Sequence, residues 1–113
     1  MEKIQYTGVS ELPDYYQEDV HRLSTEYYDK IQRKLKNLTS IHLHVKTYAK
    51  EGTKKKYSVH VKVIAPTKIF ENSKASDWDF KRALHKAFED VQHMIEHSIR
   101  ENTHVPRRSE VLY

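Results

Sequence analysis

The sequence predicts an α+β fold of order β-α-β-β-β-α, with a four-stranded sheet and two helices packed on one of its faces. Three observations carry this. Two long segments place apolar residues three or four positions apart, as the buried stripe of a helix requires. Between them, two segments alternate apolar and polar residues, as half-buried strands do. And 113 residues without a cysteine suffice for one hydrophobic core, held by burial with no disulfide or cysteine-bound metal.

Each element follows from its residues. In Lys3 to Gly8, Ile4 and Tyr6 point one way and Lys3, Gln5 and Thr7 the other, which makes a short first strand ended by Gly8. Ser10 is a candidate helix cap, and Pro13 suits a first turn that has no use for its N–H, so a helix of about 23 residues should open near residues 12 to 14. Its stripe is Tyr16, Val20, Leu23, Tyr27, Ile31 and Leu35. After a turn at Asn37 to Ser40, Ile41, Leu43 and Val45 alternate with His42, His44 and Lys46. A lysine-rich loop then leads to Tyr57, Val59, Val61 and Val63 alternating with Ser58, His60 and Lys62, so the two strands form a hairpin. Pro66 breaks the run, and Lys68 to Ala75 alternates poorly, which fits a fourth strand at an edge. Ser76 with Asp79 reads as a capping box for a second helix. Trp78 and Phe80 open its buried stripe, which continues through Leu84, Ala87, Phe88, Val91, Ile95 and Ser98. One domain over residues 1–101 and a flexible tail over 102–113 are therefore expected.

Charge points to function. Residues 1–29 carry 2 basic and 7 acidic side chains, residues 30–68 carry 11 and 1, and residues 69–113 carry 7 and 8. The net charges are −5, +10 and −1, so the middle third attracts polyanions. In the expected topology Lys54, Lys55 and Lys56 share an end of the sheet with Lys81, Arg82 and Lys86. Lys30, Arg33 and Lys34, with Lys62 and Lys68, form a second patch about 30 Å away by helix rise. Patches so separated suit a long RNA surface touched at its phosphates, with Tyr48 or Tyr57 able to stack a base. Arg22, Arg100 and the tail's Arg107 and Arg108 complete the candidate RNA-binding set.

Other chemistry finds less support. His93-Met94-Ile95-Glu96-His97 matches the H-x-x-E-H pattern of inverted zinc proteases, but no third ligand or substrate cleft accompanies it. His42, His44 and His60 project from one face of the hairpin without a carboxylate to join them as metal ligand. With 2 glycines the chain has no phosphate loop or nucleophile elbow. No enzyme activity, metal, cofactor or small-molecule substrate is expected. The absence of an apolar leader or spanning segment suggests a soluble, cytoplasmic protein with no membrane partner.

The element order, the helix opening near a Pro, and the stretch DFKRALHKAFEDVQHMIEH from Asp79 to His97 together resemble the ribosome hibernation-promoting factor family, also called ribosome-associated translation inhibitors. That family introduces its second helix with a motif like D-x-Y-x-A-I-D-x-x-x-D-K-L-x-R-Q-L-x-K. The stretch aligns with it without a gap, agreeing at Asp79, Ala83, Leu84 and Val91, with Glu89 where the family has an Asp. Lys81 replaces an aromatic residue, His85 an acid and Asp90 a basic residue. His93 and His97 stand where the family has an Arg and a Lys that face the ribosome. The resemblance spans roughly residues 3–100 and implies a divergent short form, with a first helix about two turns longer than usual. It implies a monomer that binds the small ribosomal subunit in its mRNA and tRNA channel, on 16S-type ribosomal RNA, and blocks translation in idle or stressed cells. On that reading His93 and His97 are RNA-facing cations. Two other readings compete: a double-stranded RNA-binding module, whose α-β-β-β-α order is contained in this one, and a protein-interaction module with an incidental basic face. Asp77 and Asp79 stand against the former, since they put negative charge where such domains place lysines on phosphate.

Overall fold

The computed structural model describes residues 3–37, 39–49, 55–72 and 75–104. Strand β1 (Ile4–Thr7) half-buries Ile4 and Tyr6 and exposes Gln5 and Thr7. Gly8 follows at φ 81°, where a side chain is strained, and a Cβ there would run into the carbonyl oxygen of Val45. A 3-10 turn (Val9–Glu11) then leads to helix α1 (Asp14–Leu35).

The helix start differs from the expectation at Ser10. Pro13 is the N-cap, no side chain caps it, and the Pro13 carbonyl accepts from the N–H groups of Tyr16 and Gln17 at 3.0 Å each. Ser10 lies in the 3-10 turn, and the Gln17 carboxamide steadies the junction by donating to the Leu12 carbonyl at 2.8 Å. Along α1 the expected stripe is buried at Val20, Leu23, Tyr27 and Ile31 and half-buried at Tyr16 and Leu35. Ser24 and Tyr28 widen it. Each has a polar partner that makes burial tolerable: Ser24 Oγ meets the Tyr6 hydroxyl at 2.8 Å, and the Tyr28 hydroxyl donates to the Thr39 carbonyl at 2.9 Å. The helix ends at Lys36, whose φ of 56° turns the chain and whose N–H donates to the Gln32 carbonyl.

Strands β2 (Ser40–Ala49) and β3 (Lys55–Ile64) form the expected antiparallel hairpin, with Leu43 opposite Val61 and His44 opposite His60. Strand β1 lies parallel to β2, with Ile4 opposite Ile41, and α1 supplies the crossover that a parallel pair needs. The fourth strand is split. β4 (Ile69–Glu71) pairs with Lys62 to Ile64, and β5 (Ala75–Asp77) pairs with Tyr57 to Val59, so five short and long strands occupy the four expected places. Asn72 spans the break. Its buried carboxamide accepts from the Val61 N–H at 2.7 Å and donates to the Val59 carbonyl at 3.1 Å, which satisfies two backbone groups of β3 between the β4 and β5 pairings.

Helix α2 (Phe80–His104) is opened by Asp79, whose carboxylate accepts from the Arg82 N–H at 3.3 Å. Ser76, expected as the cap, sits in β5. Phe80, Leu84, Ala87, Phe88, Val91 and Ile95 are buried as expected, and Ala83 joins them, but Trp78 is 52% exposed and outside the core. The helices run in the same direction. Tyr16 packs on Phe80 at their starts, Tyr27 stacks on Phe88 midway, and Lys34 reaches Glu96 near their ends. Both lie on the face formed by Ile41, Leu43, Val45, Val59, Val61 and Val63, all buried, and no described helix covers the other face of the sheet, where most side chains are half-buried or exposed. The expected tail begins within α2, whose backbone continues to His104, and residues 105–113 lie outside the described residues.

Candidate nucleic-acid interface

Parallel helices gather their starts at one end of the sheet and their C-terminal turns at the other. The first end holds Lys55 and Lys56, which open β3, and Lys81, Arg82 and Lys86 in the first two turns of α2. Their proximity follows from register, because Tyr57 lies opposite Asp77, three residues before Phe80. Lys54 lies outside the described residues. This end is not a purely cationic patch. Asp19 holds Arg22 at 3.0 Å and Lys81 at 3.7 Å. Asp77 accepts from the Asp79 backbone N–H at 2.9 Å, and that bond, with the charges of Arg82 and Lys86 nearby, keeps its carboxyl below the usual carboxylate range.

His93 and His97, grouped with these lysines in the sequence-based set, lie about 18 Å and 24 Å along α2 from Lys81. They belong to the opposite end with Arg100. There α1 contributes Lys30, Arg33, Lys34 and Lys36, and the turn after β3 contributes Lys68. Lys34 and Glu96 pair at 2.6 Å, which holds the Glu96 carboxyl below its ordinary range and ties the two helices together. Lys30 sits over the Tyr27 ring, and Lys68 sits over Phe70 and donates to Ser98 Oγ at 2.9 Å. Arg33, Lys36 and Arg100 remain for a ligand: all three are exposed, and among the described residues none has a carboxylate within ion-pair distance. They line two adjoining shallow depressions, shared with Lys34, Gln32, Asn37 and Ile99, in which Asp29 and Glu96 are the acids.

Lys62 leaves this group. Alternation along β3 turns it to the open face, opposite His42, away from the helix ends where the sequence reading placed it. Arg107 and Arg108 lie outside the described residues. Lys36 and Lys46 were missing from the sequence-based set. For Lys36 the available signal was a Lys-Asn pair directly after the last stripe residue, Leu35, where a chain that must turn exposes its side chains.

The two metal constellations fare alike. His44 faces His60 across the hairpin, but His42 faces Lys62, and among the described residues no three His, Asp or Glu side chains are grouped to hold a metal ion. No described helix is long and apolar enough to cross a membrane. Exposed cations at the helix ends, a fold built of a thin sheet with two parallel helices, and the aromatic-rich core beneath them are the characters on which likeness to other proteins would rest. Comparison with protein-family models, with curated proteins and with solved structures finds no match to this chain.

Proposed function

We propose that this protein binds structured RNA through phosphate contacts at the joined C-terminal ends of its two helices, and that the RNA is ribosomal RNA of the small subunit, so that the protein acts as a hibernation factor. The observation that carries this reading is the exposed trio Arg33, Lys36 and Arg100 beside the Lys34–Glu96 tie. Three long cations sit on one shallow surface, and among the described residues none of them is in ion-pair contact with a carboxylate, although Asp29 and Glu96 lie on the same surface. Such a surface fits the shape and charge of an RNA backbone and has no pocket in which to read a base. His93 and His97 lie on the same stretch of α2 and extend that surface toward the middle of the helix. A double-stranded RNA-binding module is the weaker reading, because Asp77 and Asp79 are committed to building the start of α2, where such a module would hold phosphate.

The test is sedimentation of a lysate from resting cells at low and moderate salt, with the wild type and the variant R33Q/K36Q/R100Q. Wild-type protein should travel with the small subunit or whole ribosomes. The variant should stay higher in the gradient, and its binding to purified subunits should lose a salt dependence worth about three phosphate contacts. Wild-type protein that remains at the top under both salts removes the ribosome from the proposal.

A further inference from the structure

The open face of the sheet is organised in a way the helix-end reading does not use. Its hairpin rows run Tyr48 opposite Lys56, Lys46 opposite Ser58, His44 opposite His60, and His42 opposite Lys62. On the flanking strands, β1 sets Gln5 beside His42 and Thr7 beside His44, and β4 sets Glu71 beside Lys62. Ser76 of β5 lies beside Ser58. Among the described residues, three lysines and three histidines thus share one face of the sheet with one acid, Glu71, and with the exposed ring of Tyr48, 43% accessible, at one end. We infer that this face is a second RNA-binding surface, which takes an unpaired RNA strand and tightens on it when His42, His44 and His60 gain protons.

Charge complementarity selects the occupant. With the histidines neutral the strip carries a net charge of +2, and with all three protonated +5, from Lys46, Lys56 and Lys62 against Glu71. Side chains on one face of a strand recur about every 6.8 Å, a step comparable with the phosphate spacing of an extended strand. Tyr48 supplies the aromatic platform on which a base without a pairing partner stacks. Each proton taken up by a histidine adds one positive charge, so protonation raises the strip's attraction for phosphate.

His60 Nε2 lies 3.0 Å from Glu71 Oε1, while Lys62 is the direct cross-strand neighbour of the same carboxylate. Protonated His60 is an ionic partner for Glu71, and among the described residues Lys62 has no carboxylate within ion-pair distance, which leaves its ammonium to a phosphate. His44 faces Thr7 and His60, and His42 faces Gln5 and Lys62, so no acid on an adjoining strand competes with the ligand for either of them.

The proposal stands apart from the helix ends, and its experiment keeps the two separate. A labelled oligouridylate of about twelve nucleotides is titrated by fluorescence anisotropy at about pH 8 and about pH 5.5, with the full chain, with R33Q/K36Q/R100Q, and with H42Q/H44Q/H60Q. Acidification should tighten binding about tenfold in the wild type and equally in the helix-end variant, and by less than about twofold in the histidine variant. K46Q/K62Q touches the same strip without altering a histidine, and should weaken binding at both pH values. A full acid gain in the histidine variant would assign the effect to the chain's five other histidines, His21, His85, His93, His97 and His104, and overturn the proposal. So would unchanged affinity of K46Q/K62Q made in the helix-end background. Competition by polyglutamate as strong as by the oligonucleotide would mark the face as a site for acidic protein chains, and the RNA assignment would fail. Loss of ribosome sedimentation by R33Q/K36Q/R100Q with the acid gain intact would leave both surfaces standing, each on its own evidence.

Discussion

Asn72 and Trp78 show how far a residue's role can lie from its type. Asn72 is a polar side chain only 2% exposed, and it is tolerated because both ends of its carboxamide are engaged by β3. Replacement by Ala leaves the Val61 N–H and the Val59 carbonyl buried without these partners, so N72A should lose about 2–3 kcal/mol in urea denaturation. Trp78 is the chain's only tryptophan, and it stands in solvent two residues before a fully buried Phe80. W78A should change stability by less than about 0.5 kcal/mol and F80A should cost about 3–5 kcal/mol, a contrast that disappears if Trp78 is a core residue. Exposure at Trp78 was not legible from the sequence, because an aromatic directly before a helix stripe fits the periodicity as well as a buried one does. The turn at Asp77 to Asp79 decides the matter: its hydrogen bond from the Asp79 N–H to Asp77 rotates the intervening residue outward.

At the scale of elements, that same turn gives an acid-sensitive start to α2. The Asp79 N–H, then Arg82 and Lys86, hold the Asp77 carboxyl below its unfolded value. A depressed carboxyl contributes stability that is present above its unfolded pKa and lost as pH falls through the folded one. The stability difference between wild type and D77N should therefore be widest near neutrality and close in acid, as read by thermal unfolding followed across that range. The strands and helices themselves were legible because burial imposes periods of two and of three to four on them; α1 starts at Asp14, where periodicity and Pro13 place it, and α2 at Phe80, three residues later than a cap at Ser76 would start it. What periodicity does not contain is a side chain acting as backbone. Asn72 closes the gap between β4 and β5, so a poorly alternating stretch reads as one weak strand when it is two pieces joined by an amide. Caps were misassigned for a related reason: Ser10 and Ser76 are of the right type, but Pro13 and Asp79 occupy the positions from which the first free N–H groups are reached.

Across the whole molecule, cations that are scattered in sequence come together by direction. Charge counts located an excess in the middle third, but they could not tell that parallel helices would carry His93, His97 and Arg100 to the end of Arg33, or that strand parity would turn Lys62 to the opposite face. The core makes its own prediction. Burial first, and nearby acids or tyrosines next, raise the pKa values of Tyr16, Tyr27, Tyr28 and Tyr57. A raised phenol contributes stability that is complete below its unfolded pKa of about 10 and is lost as pH rises through the folded value. Alkaline titration should show these four rings ionising together with the loss of helical circular dichroism, and an ionisation complete before unfolding would place them outside the core. The split fourth strand has one more consequence, for how copies of the chain meet. Its outer edge holds two runs of three residues, and at the other edge β1 covers β2 only from Ile41 to His44, so the sheet steps inward beyond Thr7. Among the described residues each edge is stepped rather than straight, so crowded copies meet without one continuous row of backbone groups for a further strand.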